Sequence, residues 1–120
     1  MHSAIAQIRP AAFAQWATAH AEDDTAVPLV LDVRETWEFN TAKVHPLSAP
    51  FDVLHIPMQE ITQRLAELPT QRAIACLCHH GIRSQRVAMF LLQNGFEHVV
   101  NIAGGIEAWS AEADSSVPLY

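Results

Sequence analysis

The stretch from residue 73 to residue 94 constrains the fold of this chain more than any other. Residues 73–78 form an apolar run that ends in a cysteine, a short loop with one glycine follows, and residues 85–94 have the apolar spacing of an amphipathic helix. This order predicts a strand, a tight turn and a helix that begins near Ser84. Because ligands bind beyond the carboxyl ends of strands in an open parallel sheet, we expect a functional site at Cys78.

The remaining segments alternate between strand and helix patterns. The predicted strands are 27–34, 51–56, 74–78 and 98–102, and the predicted helices are 10–21, 35–41, 58–68, 85–94 and 106–112. Loops are expected at 22–26 and 42–50, Gly95 is expected just beyond a helix end, and Gly104 and Gly105 are expected to make a sharp turn. The nearly continuous apolar strands are typical of a sheet covered on both faces. The sequence therefore predicts an α/β fold, a three-layer α/β/α sandwich around a parallel sheet.

Length and composition indicate one small globular domain. The 120 residues suit a single domain over 1–120, with 113–120 expected as a C-terminal tail. The net charge is −6 and no stripe of Lys or Arg is visible, so nucleic acid and anionic membrane are poor candidate partners. No apolar segment approaches the roughly 20 residues that span a bilayer, and residues 1–6 lack the pattern of a signal peptide.

The two cysteines, Cys76 and Cys78, lie in one predicted strand. Residues i and i+2 of a strand lie about 6.5–7 Å apart, which is a poor starting geometry for a disulfide. We therefore expect free thiols and a cytoplasmic location. Cys76 has no polar neighbours in sequence and is predicted to be inert core.

The loop after Cys78 has the residue types that activate a thiol. A cysteine reacts as its thiolate, the minor form of a free thiol at neutral pH. Backbone N–H groups, a helix N-terminus and a nearby guanidinium all favour the anion. Residues 78–84 supply all three, because Arg83 lies beside the loop, Gly81 permits a tight backbone turn, and Ser84 can cap the helix or donate to the sulfur.

Four stretches of the chain together resemble the rhodanese family, the sulfurtransferases. They are 31–35 (LDVRE), 55–57 (HIP), 78–84 (CHHGIRS) and 101–109 (NIAGGIEAW). The resemblance extends from about residue 8 to residue 109. A His-Ile-x-Gly-Ala-like stretch that often precedes the His-Ile-Pro in this family is not recognisable in 41–50, so the local pocket wall is expected to differ.

The resemblance implies a persulfide mechanism without a cofactor. Cys78 would take the outer sulfur of a small anionic donor such as thiosulfate, and cyanide, a thiol or a protein would then accept it. Arg83 would help to bind the anionic donor, while Asp32 and Arg34 would brace the site. The residues implied to hold the substrate and persulfide, mainly through backbone N–H groups, are His79, His80, Gly81, Ile82, Arg83 and Ser84.

Two alternative functions stay open on the same fold. Related phosphatases have five residues between cysteine and arginine, whereas this chain has four, and the smaller ring favours sulfur over phosphate. A sulfur carrier or protein-interaction module is the second alternative, although such a module has no evident need of a thiol. Zinc is disfavoured because Cys76, Cys78, His79 and His80 cannot readily surround a tetrahedral ion from one strand and loop, so no metal is predicted.

Several singled-out residues also have purely structural interpretations. Asp32 and Arg34 are favoured as an ion pair that ties a strand end to its neighbours. Trp37 is expected to be core, with the rim of the pocket as the alternative, and Trp109 is expected to be core. His79 and His80 are expected as exposed loop residues that adjust local charge and access.

Overall fold

Five parallel strands form one sheet in the order β1-β5-β4-β2-β3. The structure, a computed structural model, describes residues 5–21, 27–46 and 49–120. The strands are β1 Ala6–Ile8, β2 Leu29–Asp32, β3 Asp52–His55, β4 Ile74–Leu77 and β5 Val99–Ile102. Asp32 is in register with Leu77 and with His55, so β2, β3 and β4 end at one edge of the sheet. Cys78 follows directly at this edge.

Helices cover both faces of the sheet, which confirms the predicted three-layer α/β/α sandwich. The helices are α1 Pro10–Ala19, α2 Thr36–Thr41, α3 Ile82–Gln93 and α4 Gly105–Glu112. α3 buries Val87, Ala88 and Leu91 against one face of the sheet. α1 and α4 bury Phe13, Ala17, Ile106 and Trp109 against the other.

The alternation of side chains along β2 and β4 explains why both strands are apolar throughout. Leu31 and Cys76 belong to the core under α3, whereas Val30 and Ala75 belong to the core under α1 and α4. A strand that is covered on both faces has no solvent side on which polar residues would be tolerated. Cys76 is completely buried, as predicted for a core residue, and burial raises the pKa of its thiol.

The predicted helix over 58–68 is wrong. The segment instead forms two short 3₁₀ helices, Met58–Glu60 and Leu65–Glu67. The N–H of Leu68 donates to the carbonyl of Leu65 at 3.1 Å, three residues back rather than four. Pro57 and Pro69 bound a stretch too short to sustain a regular helix by itself, so the packing of its apolar side chains decides its geometry.

Other differences lie at the ends of elements. β1 was not predicted, because a three-residue edge strand with mostly exposed side chains leaves no hydrophobic pattern. α3 begins at Ile82, before the expected start near Ser84, while β2 and β4 are shorter than the apolar runs that contain them. The predicted loop at 22–26 and residues 47–48 of the predicted loop at 42–50 lie outside the described residues, as do residues 1–4.

Residues 113–120, expected as a tail, lie against the domain. Val117 is buried, and its carbonyl accepts a 2.7 Å hydrogen bond from the hydroxyl of Ser110. Tyr120 is half-buried beside α2. Within the described residues, no helix is long and apolar enough to cross a bilayer.

Candidate active site

Cys78 lies at the carboxyl end of β4, under the loop that leads into α3. Its Sγ accepts a 3.0 Å hydrogen bond from the backbone N–H of Gly81, and the hydroxyl of Ser84 lies 3.2 Å from the same atom. Gly81 has a φ of +104°, a conformation that residues with a Cβ rarely adopt. Cys78 is only 1% exposed, so the loop covers its sulfur.

The predicted neighbours of Cys78 are thus brought together at one place. Gly81 and Ser84 contact the sulfur through the groups expected of them. The Gly81 amide is the backbone donor to Sγ among the described hydrogen bonds. That the other amides of residues 79–84 hold a persulfide stays a prediction.

The backbone of the first turn of α4 is hydrogen-bonded to the backbone of the cysteine loop. The N–H of Ile106 donates to the carbonyl of Cys78 at 2.9 Å, and the N–H of Glu107 donates to the carbonyl of His79 at 3.2 Å. Gly105, with a φ of +63°, allows this approach, because a Cβ there would lie 2.3 Å from the His79 carbonyl oxygen and 2.5 Å from that of Cys78. The predicted turn at Gly104 and Gly105 is confirmed, and it fixes the backbone of the loop.

Asn101 ties the loop to the first turn of α3. Its Nδ2 donates to the carbonyl of Gly81 at 3.0 Å, and its Oδ1 accepts a 2.6 Å hydrogen bond from the hydroxyl of Ser84. Sequence reasoning gave this residue no role. The available signal was a polar residue near the end of a buried strand, and in the structure Asn101 is in register with Cys76.

Arg83 is paired with a carboxylate that the sequence analysis did not single out. Its Nη1 and Nη2 lie 2.6 Å and 2.9 Å from the two carboxylate oxygens of Glu38 on α2. Glu38 also accepts hydrogen bonds from the Tyr120 hydroxyl at 2.8 Å and from the backbone N–H of Glu35 at 3.1 Å. Chiefly through the Arg83 hydrogen bonds, the pKa of Glu38 falls from 4.5 to about 2.

Asp32 and Arg34 form a fully buried ion pair, the structural interpretation favoured above. Arg34 donates to the two oxygens of Asp32 at 2.9 Å and 2.7 Å. The same guanidinium donates to the carbonyls of Ala42 and Glu38 and to the hydroxyl of Tyr120. The pair therefore joins the end of β2 to α2, to the residue that follows α2, and to the C-terminal segment.

Aromatic rings are stacked beside the loop. His79 stacks on His80, with ring centroids 3.9 Å apart, and on Tyr120, with centroids 4.1 Å apart. Burial and the neighbouring His80 hold the pKa of His79 below its usual 6.5. Trp37 is 59% exposed and meets the edge of Tyr120, so the expectation that it is core was wrong, whereas Trp109 is buried as predicted.

The loop histidines differ in their surroundings. His80 is exposed, and its Nε2 lies 2.9 Å from a carboxylate oxygen of Glu107, while His79 is half-buried under the Tyr120 ring. Within the described ranges, no group of three or more His, Cys, Asp or Glu side chains is arranged to hold a metal ion.

Comparison with known proteins gives one consistent result. A family model described as "Rhodanese-like domain" matches residues 13–112. The chain is 33% identical over 87 residues to a protein named "Sulfurtransferase" from Allochromatium vinosum. This match covers 72% of this chain and 76% of that protein. It is 32% identical over 99 residues to "Adenylyltransferase and sulfurtransferase MOCS3-2" from Zea mays, a match that covers 82% of this chain.

The length of the relatives varies widely. The region that matches this chain is 20% of the length of the maize relative. Among solved structures, a rhodanese-related protein from Thermoplasma volcanium superposes with a TM-score of 0.71 at 28% sequence identity, over 90% of this chain and 93% of that one. The similarity therefore extends over about four-fifths of the chain in sequence and over 90% of it in fold.

Proposed function

Because the chain belongs to the rhodanese-like domain family, we propose that it is a sulfurtransferase that carries sulfur as a persulfide on Cys78. The donor is a compound with a transferable outer sulfur, such as thiosulfate, and the acceptor is a thiol, cyanide or a protein. The reaction needs Cys78 as a free thiol, which fits a reducing compartment such as the cytoplasm.

The reaction has two steps that balance without a further reagent. In the first, the Cys78 thiolate attacks the outer sulfur of thiosulfate, a new S–S bond forms, and the old S–S bond breaks with its electron pair leaving on sulfite. In the second, an acceptor thiolate or cyanide attacks the outer sulfur of the persulfide, and the Cys78 thiolate leaves. This is covalent catalysis that divides one transfer into two.

The observation that carries the proposal is the 3.0 Å hydrogen bond from the N–H of Gly81 to Cys78 Sγ. The oxygen of the Ser84 hydroxyl lies 3.2 Å from the same sulfur, while its proton is donated to Asn101 Oδ1 at 2.6 Å. The N-terminus of α3, where Gly81 is the residue before the first turn, adds a favourable dipole. The Gly81 N–H and the helix dipole both stabilise a negative sulfur. Since Cys78 is only 1% exposed, the donor brings its terminal sulfur to the loop, and the rest of the donor molecule stays outside the protein.

A stoichiometric loading experiment tests this proposal. Incubation with thiosulfate should add the mass of one sulfur atom to the intact protein, and reduction with dithiothreitol should remove it. Cys78→Ser should gain no mass and should show at least a 10³-fold lower rate of sulfur transfer to cyanide, as expected for the loss of a nucleophile. The retained, buried Cys76 serves as the internal control.

The outcomes separate the alternatives. Loading at Cys78 with multiple turnovers supports the enzyme, whereas loading without turnover to any acceptor supports a sulfur carrier. Hydrolysis of an aryl phosphate without sulfur loading would support a phosphatase and overturn the proposal.

A further inference from the structure

Two cationic side chains beside the cysteine loop are matched by carboxylates. Arg83 is paired with Glu38, and Arg34 with Asp32. His80 faces Glu107, and the lowered pKa of His79 leaves that ring neutral at pH 7. A site of this kind presents much less positive charge to an incoming donor than the sequence of the loop indicates.

Glu38 is held so that it cannot turn away from Arg83. Four hydrogen bonds reach its carboxylate, two from Arg83 and one each from the Tyr120 hydroxyl and the Glu35 backbone. Its side chain is 4% exposed, so water screens its charge weakly. A dianionic donor that approaches Arg83 therefore meets a fixed negative charge 2.6 Å from the guanidinium.

We propose that Glu38 determines donor specificity by neutralising Arg83, and that the site selects sulfane-sulfur donors with a single negative charge over dianionic ones. Monoanionic donors include persulfides and thiosulfonates, whereas thiosulfate is a dianion. The inference rests on the proposed function and names the donor class for the same site. Glu38 acts through Arg83 and not by touching the reacting sulfur atoms.

Two donors of nearly the same shape isolate the effect of charge. In the methanethiosulfonate anion a methyl group replaces one oxygen of thiosulfate, which removes one negative charge. Both donors transfer the outer sulfur to Cys78, with release of methanesulfinate or sulfite. The quantity to measure is the ratio of kcat/KM for thiosulfate to kcat/KM for methanethiosulfonate, because the fraction of active protein cancels in this ratio.

A cycle of three variants tests the proposal. Glu38→Gln keeps the side-chain shape and should raise the ratio about three- to tenfold at low ionic strength, because one charge interaction with the extra charge of thiosulfate is removed. Arg83→Gln should lower the ratio by a similar factor. The double variant removes both charges and should return the ratio to within about twofold of wild type. Added salt should shrink all of these differences.

Matched controls separate this effect from general changes in charge. Glu67→Gln removes an exposed carboxylate paired with Arg64 and should leave the ratio unchanged. Arg64→Gln removes the cation of the same pair, and it too should leave the ratio unchanged. A change in ratio with Arg64→Gln, but not with the Glu38 and Arg83 variants, would overturn the proposal.

The failure of this inference is distinguishable from the failure of the proposed function. If neither donor loads Cys78, the proposed function is wrong. If both donors load it and the ratio is the same throughout the cycle, the sulfurtransferase proposal stands and the role of Glu38 is wrong. If Glu38→Gln does not fold, Arg83→Gln still decides, because the proposal requires the ratio to fall in that variant and the fall to shrink with added salt.

Discussion

Glu38 is both ionised and almost fully buried, a state that a carboxylate tolerates only when donors surround it. Arg83, Tyr120 and the backbone of Glu35 supply those donors. At the scale of single residues, this carboxylate links α2, the cysteine loop and the C-terminal segment. Local sequence could not reveal it, because Arg83 lies 45 residues and Tyr120 lies 82 residues away along the chain. Asp32 and Arg34, two residues apart, were identifiable as a pair.

The lowered pKa of Glu38 predicts a loss of stability at acid pH. The Glu38 carboxylate takes up its proton near pH 4.5 in the unfolded chain but only near pH 2 in the folded protein. Between these pH values the unfolded state therefore holds more protons than the folded state. The free energy of unfolding consequently falls as the pH falls through that window. Glu38→Gln should lose this part of the pH dependence. Urea unfolding at several values from about pH 5 to about pH 2.5 measures it.

The partner of Glu38 provides a control for the acid prediction. Arg83→Gln removes the main cause of the lowered pKa and should flatten the same part of the curve. Parallel pH profiles for wild type and both variants would show that the ion pair does not contribute to acid stability.

At the scale of elements, the turn between β5 and α4 sets the position of the cysteine loop. The N–H groups at the start of α4 donate to carbonyls of the loop, and Gly105 lies in contact with that backbone. The sequence predicted the glycine turn and α4, because Gly-Gly before an amphipathic segment is a local signal. It did not predict which element the turn contacts, since that depends on the order β5-β4 in the sheet.

Two glycines with positive φ provide a matched pair of substitutions. Gly95→Ala should cost about 1 kcal/mol, because its φ is +91° but nothing lies within 4 Å of the new Cβ. Gly105→Ala should cost about 2 kcal/mol more, because the Cβ would overlap the carbonyls of Cys78 and His79. Chemical denaturation gives both values, and sulfur loading should decrease in Gly105→Ala alone. Equal costs would show that the loop can move aside freely.

At the scale of the whole molecule, one sheet separates two cores. Val30 and Ala75 face one core, while Leu31 and Cys76 face the other, so both cores depend on the same strands. The layer order was predictable from the sequence because apolar runs without a polar face require cover on both sides. The packing of residues 113–120 was not, because a short irregular segment with one buried residue, Val117, has no periodic signal.

This shared sheet predicts that both cores unfold together. Tryptophan fluorescence in a Trp37→Phe, Cys78→Ser background reports the core that contains Trp109, and the reaction of Cys76 with a thiol reagent reports the other. The two unfolding transitions should have the same midpoint in urea, as in a single cooperative domain. Separate midpoints would instead indicate that one face opens independently of the other.

Under the proposed persulfide mechanism, the position of Cys76 has a consequence for how long a transferred sulfur atom would stay on the protein. Cys76 is the only other cysteine in the sequence, and it is fixed inside β4 with its side chain fully buried. Neighbouring positions on one face of a strand are too far apart for an unstrained disulfide, so no internal thiol can discharge the persulfide. Each chain would then store one sulfane sulfur, a two-electron oxidant, until an outside nucleophile arrives, and the acceptor's access to the loop would set how long it is stored.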